Sequence, residues 1–183
     1  MKSKIYITGA AGFIGFHTAK KFLDKGIKVH GFDSINNYYD VRLKISRLNI
    51  LKKYKNFSFT KGLLENQKLL NKSVLKFKPI IIIHLAAQAG VRYSIGNPDA
   101  YLSSNIMGTF NVIKIANKIK VKHLIIGSSS SVYGANKKIP FQEIDKTDHQ
   151  VSFYAATKKS AESLAHSYSS LWKLPITMLR FFT

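Results

Sequence analysis

The sequence predicts an α/β fold, a doubly wound parallel sheet of about six strands. Three observations predict it. Strand-like and helix-like runs alternate along the whole 183 residues. The runs Ile80-Ile81-Ile82-Ile83 and Leu124-Ile125-Ile126 are continuously apolar, as strands buried on both faces of a parallel sheet are. A glycine-spaced turn, Gly9-Ala10-Ala11-Gly12-Phe13-Ile14-Gly15, joins the first apolar run to the first helical pattern.

In chain order, strands are expected at 4–8, 28–32, 57–60, 80–85, 123–127 and 176–181. Helices are expected at 13–25, 41–54, 65–77, 99–119 and 153–172, with right-handed crossovers between strands. The first strand is the apolar Lys4-Ile5-Tyr6-Ile7-Thr8. Asn97-Pro98 signals the start of the fourth helix, and Ser152 can cap the fifth. Residues 134–150 form the one long irregular stretch, which points to a functional loop. The chain reads as one domain, 1–183.

Composition narrows the function. Hydrophobic residues make up 45% of the chain, enough for a globular core. Cysteine is absent, which excludes disulfides and thiolate metal sites and suits a cytoplasmic setting. Lys2 and Lys4 ahead of an apolar stretch to Phe16 mimic a signal peptide, but that stretch carries the glycine spacing and runs into an amphipathic helix. The later apolar run from Ile80 to Ala87 holds His84 and is too short to span a bilayer. The net charge is +20. Only Arg42, Arg47, Arg92 and Arg180 are arginine among 29 basic residues, and the lysines are spread along the chain rather than gathered in one arm. Neither a nucleic-acid nor a membrane partner is therefore expected, although the charge favours anionic ligands.

The glycine turn carries the first chemistry. Gly9 permits a tight turn, Gly12 lets a pyrophosphate approach the backbone, and Gly15 lets helix and strand pack closely. Asp33 ends the second strand about 20 residues on, where its carboxylate can bond an adenosine ribose and repel a 2′-phosphate, favouring NAD over NADP. Past the fifth strand lies Ser128-Ser129-Ser130-Ser131. Tyr154 and Lys158, four apart on the last helix, share one face. Lysine's charge, joined by an oxidised nicotinamide, is expected to lower the phenol's pKa, so that the phenolate serves as general base on a sugar hydroxyl. A second Tyr-x-x-x-Lys pair, Tyr133 and Lys137, falls in the irregular stretch, where that spacing aligns nothing. His17, His84 and His123 stand alone and read as packing residues, with no metal site expected.

Together these residues resemble the extended short-chain dehydrogenase/reductases, the NAD-dependent epimerase/dehydratase family, with a Rossmann-like sheet. The resemblance covers residues 1–183. Its narrower marks are Asp33-Ser34-Ile35-Asn36-Asn37-Tyr38-Tyr39-Asp40, the segment from His84 to Ser94, the segment from Ser128 to Gly134, Tyr154-Ala155-Ala156-Thr157-Lys158-Lys159 and Leu179-Arg180-Phe181-Phe182-Thr183. These are similar to UDP-glucuronate 4-epimerases. The resemblance implies that NAD is held by Gly9, Gly12, Phe13, Ile14, Gly15, Asp33, Leu85, Ala86, Gln88, Tyr154 and Lys158. It implies catalysis by Tyr154, Lys158 and Ser129, a UDP-sugar near Ser129, Ser131, Arg92 and Thr183, and a homodimer through the helices at 99–119 and 153–172. Related 4,6-dehydratases carry acids just after the strand-end hydroxyl. Ser130 and Ser131 stand there instead, which favours epimerisation.

Two departures accompany the resemblance. Many relatives have Gly-Asp after the third strand, where the Asp holds the adenine amino group, and here the pair is Gly62-Leu63. Relatives also continue into a small substrate domain, so this chain is expected to lack that domain, to be truncated at its C-terminus and to turn over little or no substrate alone. A UDP-glucose 4-epimerase, a 4,6-dehydratase relative and a non-catalytic, truncated NAD-binding module are the competing readings.

Overall fold

A computed structural model describes residues 4–182. Six parallel strands form one sheet: β1 (Lys4–Thr8), β2 (Lys28–Asp33), β3 (Phe57–Lys61), β4 (Ile81–His84), β5 (His123–Ser129) and β6 (Ile176–Phe181), in spatial order β3-β2-β1-β4-β5-β6. The helices are α1 (Phe13–Asp24), α2 (Val41–Lys52), α3 (Gln67–Phe77), the short α4 (Tyr93–Gly96) and α5 (Pro98–Tyr101), α6 (Gly108–Lys118) and α7 (Phe153–Trp172). No helix is long and apolar enough to cross a membrane among the described residues.

The period-two geometry of β1 divides the core in two. Ile5 and Ile7 pack with Phe16, Leu23, Val29 and Leu51, while Tyr6 points to the opposite side with Phe32, Leu70, Ile82, Val112 and Leu124. Helices cover both faces, which is why the middles of the central strands β1, β4 and β5 are apolar on both sides. Burying each such side chain contributes roughly 1.5–3 kcal/mol.

Strand order reverses between β1 and β4, so their carboxyl ends diverge toward helices on opposite faces and leave a crevice. A buried polar chain fixes that crevice. The Thr8 hydroxyl accepts from the N–H groups of Leu85 and Ala86, both at 3.2 Å, and donates to His84 Nδ1 at 2.7 Å. His84 Nε2–H then donates to Thr109 at 2.9 Å. Burial, helped by the Lys158 charge, lowers the imidazole pKa to about 3, so it stays neutral. His84 is thus a packing histidine, as its isolation in the sequence suggests. His123 bonds Thr177, and His17 packs on Phe13 and Phe16.

The helix expected at 99–119 runs without a break from 98 to 118, but not as α-helix throughout. A π-helical turn, Leu102–Met107, separates α5 from α6. Its buried Asn105 accepts from the Gln88 N–H at 2.7 Å and donates to the Gln88 carbonyl at 3.0 Å and the Thr157 hydroxyl at 3.1 Å. Three tertiary bonds hold the wider turn. Elsewhere capping sets the ends: Asp40, Asn66 and Ser152 accept the first backbone donors of α2, α3 and α7. Residues 134–150 are irregular, and their ends meet where the Ala135 N–H donates to the His149 carbonyl at 3.0 Å. Gly134 permits this, since a Cβ there would lie 2.0 Å from that oxygen.

Candidate functional site

The glycine turn is built by contacts that exclude side chains. Gly9 has φ +73°, and a Cβ on it would come within 2.7 Å of the Ala86 nitrogen. A Cβ on Gly15 would sit 2.0 Å from the Gly9 carbonyl oxygen, so only glycine lets α1 rest on the turn. Gly12 is the N-cap of α1 and supplies no side-chain cap, and the first helical turn holds no acid. The first N–H groups of α1 therefore keep their donor capacity and the positive end of the helix dipole. Phe13 is 66% exposed and Ile14 is also exposed. The buried Asp33 carboxylate accepts from the Ala11 N–H at 3.0 Å and the Ile35 N–H at 2.9 Å, tying the turn to the end of β2.

Beside this turn opens a cleft of about 440 Å³. Gly9, Gly12, Asp33, Leu85, Ala86 and Gln88 line it, and Gly15 lies beneath, packed on the turn. Leu63 lines it too and presents no acceptor there. Sequence reasoning missed Lys44 in this wall. Its buried amine donates to the Asn36 carbonyl at 2.9 Å and lies 4.3 Å from the Tyr39 ring centroid. Burial lowers its pKa, against an opposing pull from Asp33. The spacing of Asn36, Tyr39 and Lys44 around the N-terminus of α2 was the available signal.

The second group gathers at the end of β5. Ser129 caps a short 3₁₀ turn (Ser130–Tyr133), accepting from the Ser131 N–H and donating to the Ser131 hydroxyl, both at 3.1 Å. Tyr154 opens α7 over this strand end. Burial raises its pKa above the ordinary phenol value, while a hydrogen bond with Ser129 acts the other way. Lys158 lies one turn on, 6.0 Å from the Tyr154 ring centroid, and donates to the Gly127 carbonyl at 2.8 Å. Burial lowers the Lys158 pKa to about 8. The expected lowering of the phenol's pKa is thus not found in the protein alone. The ammonium lies beside the ring, and the phenol is desolvated.

Behind these groups stands an ion pair that sequence reasoning missed. Glu162 accepts from Ser128 at 2.7 Å and from Arg180 at 2.9 Å through each carboxylate oxygen. Burial pushes its carboxyl up, but the bonds from Arg180 and Ser128 outweigh this and hold it below its ordinary value. Tyr154, Lys158 and Glu162 are successive i, i+4 positions on one face of α7, which was the signal. Arg92 is exposed and does not line the cleft, but borders a shallow depression with Tyr38 and Tyr93 that shares the Tyr38 wall with it. Thr183 lies outside the described residues. Tyr133 and Lys137 do not share a helix, since the 3₁₀ turn ends at Tyr133.

Residues 6–183 match the family model described as GDP-mannose 4,6 dehydratase. The chain belongs to this family, the NAD-dependent epimerases and dehydratases. Among its members, the probable UDP-glucuronate 4-epimerase of Rhizobium meliloti is 51% identical over 177 residues, 97% of this chain and 52% of that protein. Protein CapI of Staphylococcus aureus is 53% identical over 180 residues, 98% of this chain and 54% of that protein. The UDP-glucuronic acid 4-epimerase of Bacillus cereus, solved with UDP-glucuronic acid and NAD, superposes with a TM-score of 0.91 at 35% identity, covering 98% of this chain and 56% of that one. The chain spans about half the length of the curated relatives it matches.

Proposed function

We propose that residues 1–183 are the NAD-binding domain of a nucleotide-sugar 4-epimerase that acts on a UDP-sugar, UDP-glucuronate first among them. The observation that carries this reading is the meeting of Ser129, Tyr154 and Lys158 at the end of β5, beside the strand that walls the glycine-floored cleft. Relatives at about half identity, named for UDP-glucuronate, support the sugar.

The residues present fit NAD. Gly9 and Gly12 let the turn fold tightly against Leu85, Ala86 and itself at the mouth of the cleft, and the free N–H groups of α1 with Phe13 and Ile14 suit the charge of a pyrophosphate. Asp33 spends one acceptor site of each oxygen on the backbone and keeps others for ribose hydroxyls. When bound, oxidised NAD supplies a two-electron acceptor for sugar carbon 4 and a positive charge beside the phenol. Tyr154 takes the proton of the 4-hydroxyl through its contact with Ser129, and Lys158 holds the phenol's surroundings positive. Once the 4-keto sugar turns over in its site, the two electrons taken from carbon 4 would be returned by the reduced cofactor to its other face, and Tyr154 would give the proton back. Ser131 borders the sugar beside Ser129, and Arg92 and Thr183 complete the expected substrate contacts.

Ser130 and Ser131, where dehydratases need acids, support epimerisation over 4,6-dehydration. A homodimer through 99–119 and 153–172, and a cytoplasmic setting, complete the reading. Calorimetric titration with NAD tests the cofactor site, and a folded chain without NAD binding overturns it. UDP-glucuronate is then supplied to the chain joined to the carboxy-terminal half of the Staphylococcus aureus relative. The C4 epimer is expected, and is lost in Tyr154→Phe. A dehydrated 4-keto-6-deoxy product from a C6 alcohol substrate, or an unaffected Tyr154→Phe variant, overturns the mechanism.

A further inference from the structure

The lysines that look scattered in sequence are gathered by the fold. In an all-parallel sheet every strand begins at the same edge. Exposed lysines stand at each of the later entries: Lys28 in β2, Lys55 before β3, Lys78 before β4, Lys122 before β5 and Lys173 before β6. The acids lie elsewhere. Of the chain's nine acidic residues, Asp24 alone is at this edge, where Lys20 and Tyr54 engage it. The rest sit at the end of β2 or in the helices and loops that leave the carboxyl ends of the strands. The molecule is therefore polarised, with the cleft on one edge and unpaired positive charge on the other.

Local structure accounts for only some of these lysines, and leaves Lys28, Lys55 and Lys122 without a helix end to serve. Residues at helix C-termini complement the helix dipole, which explains Lys52, Lys76 and Lys118. Lys55 and Lys122 lie outside helices. Lys78, Lys120 and Lys173 take φ values of 53°, 50° and 56°, a region where sterics favour glycine or asparagine. Lys78 and Lys173 also cap the C-termini of α3 and α7, and the Lys173 amine donates to the Ser170 carbonyl at 2.8 Å, so the helix ends account for part of their charge.

We propose that the amino-terminal edge of the sheet is a docking face for an anionic lipid surface. Its width, five strand spacings, is about 24 Å. Its charge is lysine, a point charge suited to headgroup phosphates, and no arginine lies on it. Trp172 (53% exposed) and Leu171 (68% exposed) flank Lys173, and tryptophan favours the water–lipid interface. The described residues offer no projecting helix or ribbon there to enter a nucleic-acid groove. Docked this way, the opposite edge with its cleft faces the solution.

Co-sedimentation with phosphatidylcholine vesicles, with and without phosphatidylserine, tests the proposal. The chain is expected to sediment with the anionic vesicles alone and to be released by high salt. The triple variant Lys55→Glu, Lys78→Glu, Lys122→Glu lowers the partition coefficient about a hundredfold. Lys68→Glu, Lys137→Glu, Lys146→Glu removes the same net charge from the other edge, and its partition coefficient stays within about tenfold of the parent. Circular dichroism checks both folds, and Lys→Gln at the first three positions gives a smaller loss in the same direction. No sedimentation with anionic vesicles, or equal losses in both variants, overturns the proposal. So does random duplex DNA that binds this edge and displaces the vesicles, which would make the partner a nucleic acid.

Discussion

Gly9 and Gly26 have nearly the same backbone angle, φ +73° and +72°, and opposite surroundings. A Cβ at Gly9 would strike the backbone of Leu85 and Ala86, whereas one at Gly26 would meet nothing within 4 Å. Gly9 belongs to the carboxyl edge of the sheet and Gly26 to the amino edge. At the carboxyl edge, turns are specified by the space between neighbouring strands. At the amino edge, backbone conformation alone specifies them, and the side chains are free to serve charge.

Substitutions can break that contrast, and the deepest test is Gly15→Ala. Its new methyl would lie 2.0 Å from the Gly9 carbonyl oxygen, so α1 must lift off the turn. We expect a loss of more than about 3 kcal/mol in urea unfolding, with NAD binding abolished. Gly26→Ala, strained only by its φ, loses about 1 kcal/mol.

Acid probes the carboxyl edge from beneath. The unfolded chain protonates His84 near pH 6.5, but the folded chain does so only near 3. Between those values the unfolded state binds more protons, so stability rises with pH through this window and falls on acidification. His30, lowered to about 4 by burial, acts the same way. By pH 4 the loss is on the order of 3 kcal/mol for each histidine, measurable as a falling urea midpoint. An unchanged midpoint from pH 6.5 to 4 contradicts the buried neutral imidazole.

Glu162→Gln removes one charge of the pair with Arg180, which is partly exposed, and loosens β5 against β6 and α7. About 2 kcal/mol is expected to be lost. Lys158→Met has the opposite sign. The buried amine titrates near 8 rather than 10.5, so the folded state pays a charging penalty below pH 8 that fades as pH rises toward 10.5. The Met variant should unfold about 1 kcal/mol later at pH 7, and this advantage should shrink above pH 8. Epimerisation by the joined enzyme is lost with it. Lys122→Gln, at the amino edge, changes stability by less than about 0.5 kcal/mol, and only its effect on vesicle binding is measurable.

The same contrast explains what could be read from the sequence. Strands and glycine turns obey local rules, so all six strands are expected within two residues of where they lie, and Gly9, Gly12 and Asp33 meet at one crevice as anticipated. The helix at 99–119 was legible, but its π-helical middle was not, because Asn105 takes tertiary partners, Gln88 and Thr157, that no local pattern encodes. The Glu162–Arg180 pair was missed for the same reason, since Arg180 lies on another element, whereas Lys44 was missed although its partners Asn36 and Tyr39 are close in sequence. The lysines show the reverse case. Residues dispersed along the chain fall on one edge only because every strand runs the same way.

The crossing at Gly134 has a further consequence. Because His149 closes against it, residues 134–150 form a ring tied at its base, with Ile139 and Ile144 at its exposed rim. Insertions at that rim lengthen the ring without moving Ser129 or Tyr154. A protease that nicks the rim leaves two pieces still held by the sheet. Evolution can therefore vary this segment in length while the reacting groups stay where they are.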